Sequence, residues 1–169
     1  FLESPHGNQV RAGIKNLQEL GALDGSVKLT AIGRQLARLP IDPKLARIVY
    51  TAAQLQCLDA ALIVVSALSV QDPREYPHEK RQAADQQHRR FWHKDSDFLA
   101  WLNLWYYVES LRANLSKSQF RKRCEKEFLN FMRLQEWRNV HWQLKLATRQ
   151  LVCILYTSPS PRDVHLSRM

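Results

Sequence analysis

The feature that most constrains this fold is a run with almost no polar interruption, Ala60-Ala61-Leu62-Ile63-Val64-Val65-Ser66-Ala67-Leu68, followed at once by Ser69-Val70-Gln71-Asp72-Pro73-Arg74-Glu75. A helix that is apolar on nearly every face cannot lie on a surface, so this run predicts the buried centre of a helical bundle. Pro73 disfavours a helical conformation at Asp72, and local sterics therefore set the exit path. Gln71, Asp72 and Arg74 then stand at the C-terminal mouth of the helix. Polar side chains on the rim of a rigid core make a better ligand platform than the same groups on a floppy loop.

With 169 residues, 45% of them hydrophobic, the chain can build one or two domains with a real core. Lysine and arginine number 25 against 16 acidic residues, a formal charge of +9, which favours a polyanionic partner. A solvated basic surface would give the same count. Cys57, Cys124 and Cys153 form neither a CxxC pair nor a mixed Cys/His cluster, so neither a zinc site nor a disulfide framework is expected. A reducing, cytoplasmic setting fits that usage. No apolar run reaches the roughly 18 residues that span a bilayer, so no membrane partner is expected. The first residues do not read as a signal peptide, and the missing initiator methionine leads us to expect a piece of a longer chain.

Taken in order, Val10, Ile14, Leu17 and Leu20 repeat at helical spacing and Gly21 supplies a left-handed cap. Asp24-Gly25-Ser26, flanked by Leu23 and by Val27-Lys28-Leu29, predicts a tight hairpin. Thr30 caps a helix over about residues 31–39, with Ile32, Leu36 and Leu39 inward. Helix, small β-hairpin, helix is the closing part of a winged-helix unit. Asp42-Pro43 starts a fresh helix with Leu45, Ile48, Val49, Ala52 and Ala53 inward. Beyond the central helix, a charged helix is expected over about residues 79–92. Asp95 or Ser96 then caps a helix through Phe98, Leu99, Leu102, Leu104, Trp105 and Val108. Finally, Ser116 or Ser118 opens a region with Phe120, Cys124, Phe128, Phe131, Leu134, Trp137 and Leu144 at helical spacing, read as two consecutive helices. The fold class is mainly α: a partial winged helix followed by a helical bundle.

Residues 110–149 hold ten basic positions against Glu125, Glu127 and Glu136, the most basic stretch of the chain. The aromatic stripe alongside reads as core rather than as a stacking platform. Catalytic signatures are missing: there is no GxxxxGK[ST] loop, no Gly-x-Ser-x-Gly elbow and no HExxH, and the six histidines are scattered. Asp95 and Asp97 are explained by helix capping.

Several ordered runs resemble the region that follows the motor lobes in DEAH-box RNA helicases: Phe1-Leu2-Glu3, Leu17-Gln18-Glu19-Leu20-Gly21-Ala22-Leu23-Asp24, Leu29-Thr30 with Gly33, and Leu39-Pro40-Ile41-Asp42-Pro43-Lys44-Leu45-Ala46-Arg47. The later runs Leu68-Ser69-Val70-Gln71-Asp72-Pro73-Arg74-Glu75, Ala83-Ala84-Asp85-Gln86-Gln87-His88, Ser96-Asp97-Phe98-Leu99, Leu102-Asn103-Leu104-Trp105 and Phe120-Arg121-Lys122-Arg123-Cys124 are similar to the bacterial HrpA-type branch. The resemblance implies that residues 1–39 end a winged-helix domain and that residues 40–146 form a helicase-associated ratchet bundle. It further implies an accessory region gripping single-stranded RNA along one wall of a channel, in an ATP-dependent enzyme moving 3′ to 5′. RecA-like motor lobes, with their ATP and Mg2+, and an OB-fold would be its partners in the parent chain. This chain alone would bind no cofactor or metal and carry no catalytic residue.

A channel that steps along any sequence needs backbone contacts and loose stacking. By position, the candidate nucleic-acid-binding residues are Ser69, Gln71 and Arg74 at the helix mouth, Ser96, Asp97 and Asn103 on the next helix, and Arg121 and Lys122 on the basic helix. Where the family commonly carries Arg-Pro after Glu75, this chain has Tyr76-Pro77.

Residues 147–169 are expected to be a non-native or disordered tail. From Cys153 to Asp163 the sequence is similar to the translation of a transposase-based sequencing-library adapter, with Ile154 the one mismatch. Two other functions fit the chain's elements: a winged-helix DNA-binding regulator, weakened by a helix with only Arg11 and Lys15 as basic residues, and a helical protein-interaction scaffold.

Overall fold

The computed structural model describes the backbone of residues 7–157 and the side chains of residues 7–149. Two compact units divide it: the first holds the residues up to Cys57 and those from Lys145, and the second is Leu58–Leu144.

In the first unit, α1 (Gly7–Glu19) ends as its sequence requires. Gly21 takes φ 71°. Its N–H donates to the Gln18 carbonyl at 2.9 Å and that of Ala22 to the Leu17 carbonyl at 2.8 Å, the paired bonds of a Schellman cap. Ile14, Leu17 and Leu20 are half-buried, whereas Val10, expected on the same face, is exposed.

The expected hairpin is not formed as a pair of strands. A single antiparallel bridge joins Leu23 to Leu29, because Asp24 closes the loop on itself. Its Oδ1 accepts from the Ser26 and Lys28 amides at 2.8 and 2.9 Å, and its own N–H donates to the Lys28 carbonyl at 2.9 Å. The chain on one side is already committed to the α1 cap and on the other to Thr30, so the ladder has nowhere to extend. Thr30 Oγ1 accepts from the Gly33 amide at 2.9 Å, capping α2 (Ala31–Leu36).

Asp42 caps α3 (Pro43–Gln54) by accepting from the Lys44 amide at 2.8 Å, with Pro43 in the first turn. Ala46, Val49, Ala52 and Ala53 are buried. Ile48, expected inward, is exposed because it lies one residue, about 100° of helix, from the Val49 stripe.

The second unit is built around α4 (Leu58–Leu68), whose residues Leu62, Ile63, Val64, Val65, Ser66 and Ala67 are all buried, as an all-round apolar helix demands. Its one buried polar group is satisfied: Ser66 Oγ donates to the Ile63 carbonyl at 2.9 Å and accepts from Trp137 Nε1 at 3.0 Å. The expected charged helix is broken into a 3-10 turn (His78–Lys80), α5 (Arg81–His88) and a second 3-10 turn (Arg89–Phe91). Ser96 caps α6 (Asp97–Asn114), and Ser116 with Gln119 makes a full capping box on α7 (Lys117–Lys126). Helix α8 (Phe131–Thr157) follows.

Ile63, Phe91, Leu104, Trp105, Val108, Phe120, Cys124, Leu129, Leu134 and Trp137 share one buried cluster. Burial pushes the Cys124 thiol up to about 11, so it packs there as a neutral apolar group. Phe98 and Leu99, at the start of α6, are exposed; the buried stripe begins at Ala100. The side chains from residue 150 and all residues from 158 lie outside the described residues; of the tail expected over residues 147–169, the backbone of residues 147–157 continues α8 and Thr148 is buried, and the rest falls outside.

Candidate nucleic-acid interface

The turn after α4 is held from two directions. Arg74 lies folded on Asp72: Nε donates to Oδ1 at 3.0 Å and Nη2 to Oδ2 at 2.8 Å, while the Arg74 amide donates to Oδ1 at 2.8 Å. The guanidinium carbon sits 4.5 Å from the centroid of the Trp101 ring. Burial works against the charge on Arg74, but the fork on Asp72 and that carboxylate's charge outweigh it and raise the pKa above its ordinary value.

The segment is also stitched to the chain between α7 and α8. Arg74 and Leu129 form an antiparallel bridge, the Glu75 amide donates to the Phe128 carbonyl at 2.8 Å, and the Asn130 amide donates to the Pro73 carbonyl at 2.7 Å. Asn130 Nδ2 donates to Glu75 Oε1 at 2.7 Å, and Arg133 Nη1 donates to the Asp72 carbonyl at 3.0 Å. Phe128 adopts φ 56°, which lets the chain reverse tightly enough to present these groups.

Beside this turn runs a groove of about 930 Å³, whose walls include Arg74, Tyr76, Arg89, Trp92, Asp97 and Phe98. Trp92 and Phe98 are 63% and 56% exposed and Tyr76 44%, so three aromatic side chains face solvent around one concavity. Sequence reasoning missed them. Aromatics at helical spacing read as core, and only the break of the charged helix at Arg89–Phe91 turns Trp92 outward.

Of the sequence-predicted residues, Arg74 and Asp97 line this groove. Ser96 is adjacent in the chain, with its hydroxyl accepting from the Phe98 amide at 3.2 Å. Gln71 and Ser69 are exposed on the mouth, Ser69 Oγ donating to the Val65 carbonyl at 2.8 Å. Asn103 is partly committed elsewhere, its Nδ2 donating to the Phe91 carbonyl at 3.2 Å. Arg121 and Lys122 line no part of this groove: Arg121 pairs with Glu125 at 3.5 Å, and Lys122 borders a separate concavity.

A second missed element is Glu127, 3% exposed. Its carboxylate accepts from Tyr107 Oη at 2.8 Å, from Arg123 Nε at 2.6 Å and from Arg90 Nη2. Burial pushes its pKa up, but Arg90, Tyr107 and Arg123 together hold it below the ordinary carboxylate value. Its carbonyl meets His88 Nε2 at 3.0 Å, so Nε2 carries the proton there, and burial lowers the His88 pKa. Charge spacing in the sequence pairs Glu127 with Arg123, but not with Arg90 or Tyr107.

The residues present do not fit a nucleoside triphosphate: no phosphate loop exists among the five glycines, and Gly21 and Gly33 serve the winged-helix turn. Among the described residues, no group of three His, Cys, Asp or Glu side chains is placed to hold a metal ion. No helix among them is long and apolar enough to cross a membrane.

A winged-helix end, followed along the chain by a bundle whose central helix opens onto a braced turn and an aromatic groove, defines a helicase-associated module. Residues 13–41 match the helicase associated domain (HA2), winged-helix, and residues 42–101 match the helicase associated domain (HA2), ratchet-like. The chain belongs to this HA2 family. It is 46% identical over 158 residues to the ATP-dependent RNA helicase HrpA homolog of Haemophilus influenzae, an overlap of 89% of this chain and 12% of that protein. To ATP-dependent RNA helicase HrpA of Escherichia coli it is 42% identical over 173 residues, covering 99% and 13%. To the pre-mRNA-splicing factor ATP-dependent RNA helicase prp22 of Schizosaccharomyces pombe it is 35% identical over 105 residues, covering 62% and 9%. The chain thus spans only about 12–13% of the length of its HrpA relatives.

Proposed function

We infer that this region is the RNA-gripping accessory module of an ATP-dependent RNA helicase, forming one wall of the channel that holds the single strand. The motor lobes of the parent enzyme supply the ATP, Mg2+ and phosphoryl chemistry, and their opening and closing draws the strand through 3′ to 5′. This module contributes grip. The observation that carries the reading is the groove beside Arg74, where exposed Tyr76, Trp92 and Phe98 offer ring faces to unpaired bases next to Arg89. Stacking of this kind tolerates any base, which suits a motor that moves along every sequence. Gln71, Ser69 and Ser96 add hydrogen-bonding groups for the sugar and phosphate.

Replacing Trp92 and Phe98 together by alanine in the full-length parent tests it. Stacking is worth roughly 1–3 kcal/mol per base, so the RNA concentration giving half-maximal ATPase stimulation should rise at least several-fold while basal ATPase is unchanged. Both side chains are exposed, so folding should be preserved. Unchanged stimulation would defeat the reading. Binding should also weaken with salt and show little sequence preference, whereas sequence-specific duplex binding would favour a winged-helix regulator.

A further inference from the structure

At the C-terminal end of α6 the surface has a different chemistry. Leu111 and Leu115, packed from one side against the buried cluster, line a groove of about 390 Å³ with Gln119, Lys122, Arg123 and Lys126 of α7. Helix α7 carries Lys117, Arg121, Lys122, Arg123 and Lys126 against Glu125 alone. Two of those charges are met locally, Arg121 by Glu125 at 3.5 Å and Arg123 by the buried Glu127 at 2.6 Å. Lys122 and Lys126 are exposed on the groove.

Among the described residues, no aromatic side chain lines this groove. An unpaired nucleic-acid strand is held by cations along its phosphates together with ring faces for its bases, and leucines beneath lysines supply only the first of these. An aliphatic floor with a cationic rim instead complements a protein segment that carries aliphatic anchors flanked by carboxylates. We propose that the groove between α6 and α7 docks an acidic protein segment, its leucine-type side chains resting on Leu111 and Leu115 and its carboxylates facing Lys122 and Lys126. The site is independent of the aromatic groove and of any RNA-binding role assigned there.

Fluorescence anisotropy on the full chain tests this with a fluorescein-labelled helical peptide of glutamate and leucine, leucines at i and i+4. A second peptide replaces its leucines by serine, and unlabelled oligouridylate serves as competitor. The glutamate-leucine peptide should bind, the serine peptide should bind far more weakly, and oligouridylate should not displace the first. Lys122→Glu with Lys126→Glu should weaken binding roughly tenfold, about 1.4 kcal/mol, with the thermal melt unchanged. If that double variant does not fold, Lys122→Gln with Lys126→Gln should weaken binding in the same direction. Absence of binding, equal binding of the serine peptide, displacement by oligouridylate, or an unaffected folded variant would each overturn the proposal; displacement would reassign the lysines to RNA.

Discussion

Arg74 and Leu129 pair across an isolated antiparallel bridge, and this contact fixes the exit of the central helix to the turn between α7 and α8. Asn130 is the residue that makes the bridge durable. Its Oδ1 accepts from the Arg133 amide at 3.0 Å, the geometry of an N-cap on α8, while its Nδ2 reaches Glu75. Asn130→Ala removes both bonds, and we expect a loss of roughly 1–2 kcal/mol in urea denaturation. Asn130→Ser, which keeps an N-cap acceptor, should recover part of it.

The winged-helix turn depends on Gly33 for a reason unrelated to backbone freedom. A Cβ there would overlap the Ala22 carbonyl oxygen and sit 2.9 Å from its carbon and 3.0 Å from Leu29 Cδ1. Backbone atoms that also accept from Thr30 cannot retreat cheaply. Gly33→Ala should therefore cost about 1–3 kcal/mol, despite the better helix propensity of alanine. A stability equal to or above the parent's would show that the loop relaxes freely.

What the sequence disclosed divides along physical lines. The helix caps at Thr30 and Asp42 and the left-handed Gly21 are local, decided by a few neighbouring residues, and they were legible; the caps at Ser96 and Ser116 were each one of two candidates, the others being Asp95 and Ser118. The burial of residues 62–67 was legible too, because no surface position tolerates such a run. The hairpin was misjudged because Asp24 offers the loop amides a side-chain acceptor that competes with a ladder. The helix through Phe98 and Leu99 was legible, but not that its buried stripe starts only at Ala100. Arg74 was picked out by position, but its fork on Asp72 and its seat on Trp101 needed the fold, as did the Glu127 cluster.

Glu127 predicts a specific acid sensitivity. Its folded pKa is depressed, so its contribution to stability is fully present above the unfolded value of about 4.3 and is lost as pH falls through the folded value below it. Glu127→Gln retains the shape but leaves the partly exposed Arg90 and Arg123 without their counter-charge, and it should destabilise the chain near neutrality by about 1–3 kcal/mol. Between neutrality and pH 3 the variant's stability should fall less than the parent's. Parallel pH profiles from chemical denaturation would contradict the assignment.

Arg74 separates two ways a basic residue can serve a strand. If only its positive charge mattered, Arg74→Lys would be nearly silent. The structure instead has the guanidinium forked on the Asp72 carboxylate and laid against Trp101, neither of which an ammonium reproduces. We therefore expect Arg74→Lys to lose roughly 1–2 kcal/mol of stability, close to the loss from Arg74→Ala. In the full-length parent, Arg74→Lys should also reduce RNA-stimulated ATPase, because the wall of the aromatic groove loses its brace. The decisive measurement is the dependence of RNA binding on salt. If Arg74 acts as a brace, Arg74→Lys and Arg74→Ala both lower the affinity yet keep the parent's slope. A slope reduced by about one in Arg74→Ala and restored in Arg74→Lys would instead mark a direct phosphate contact.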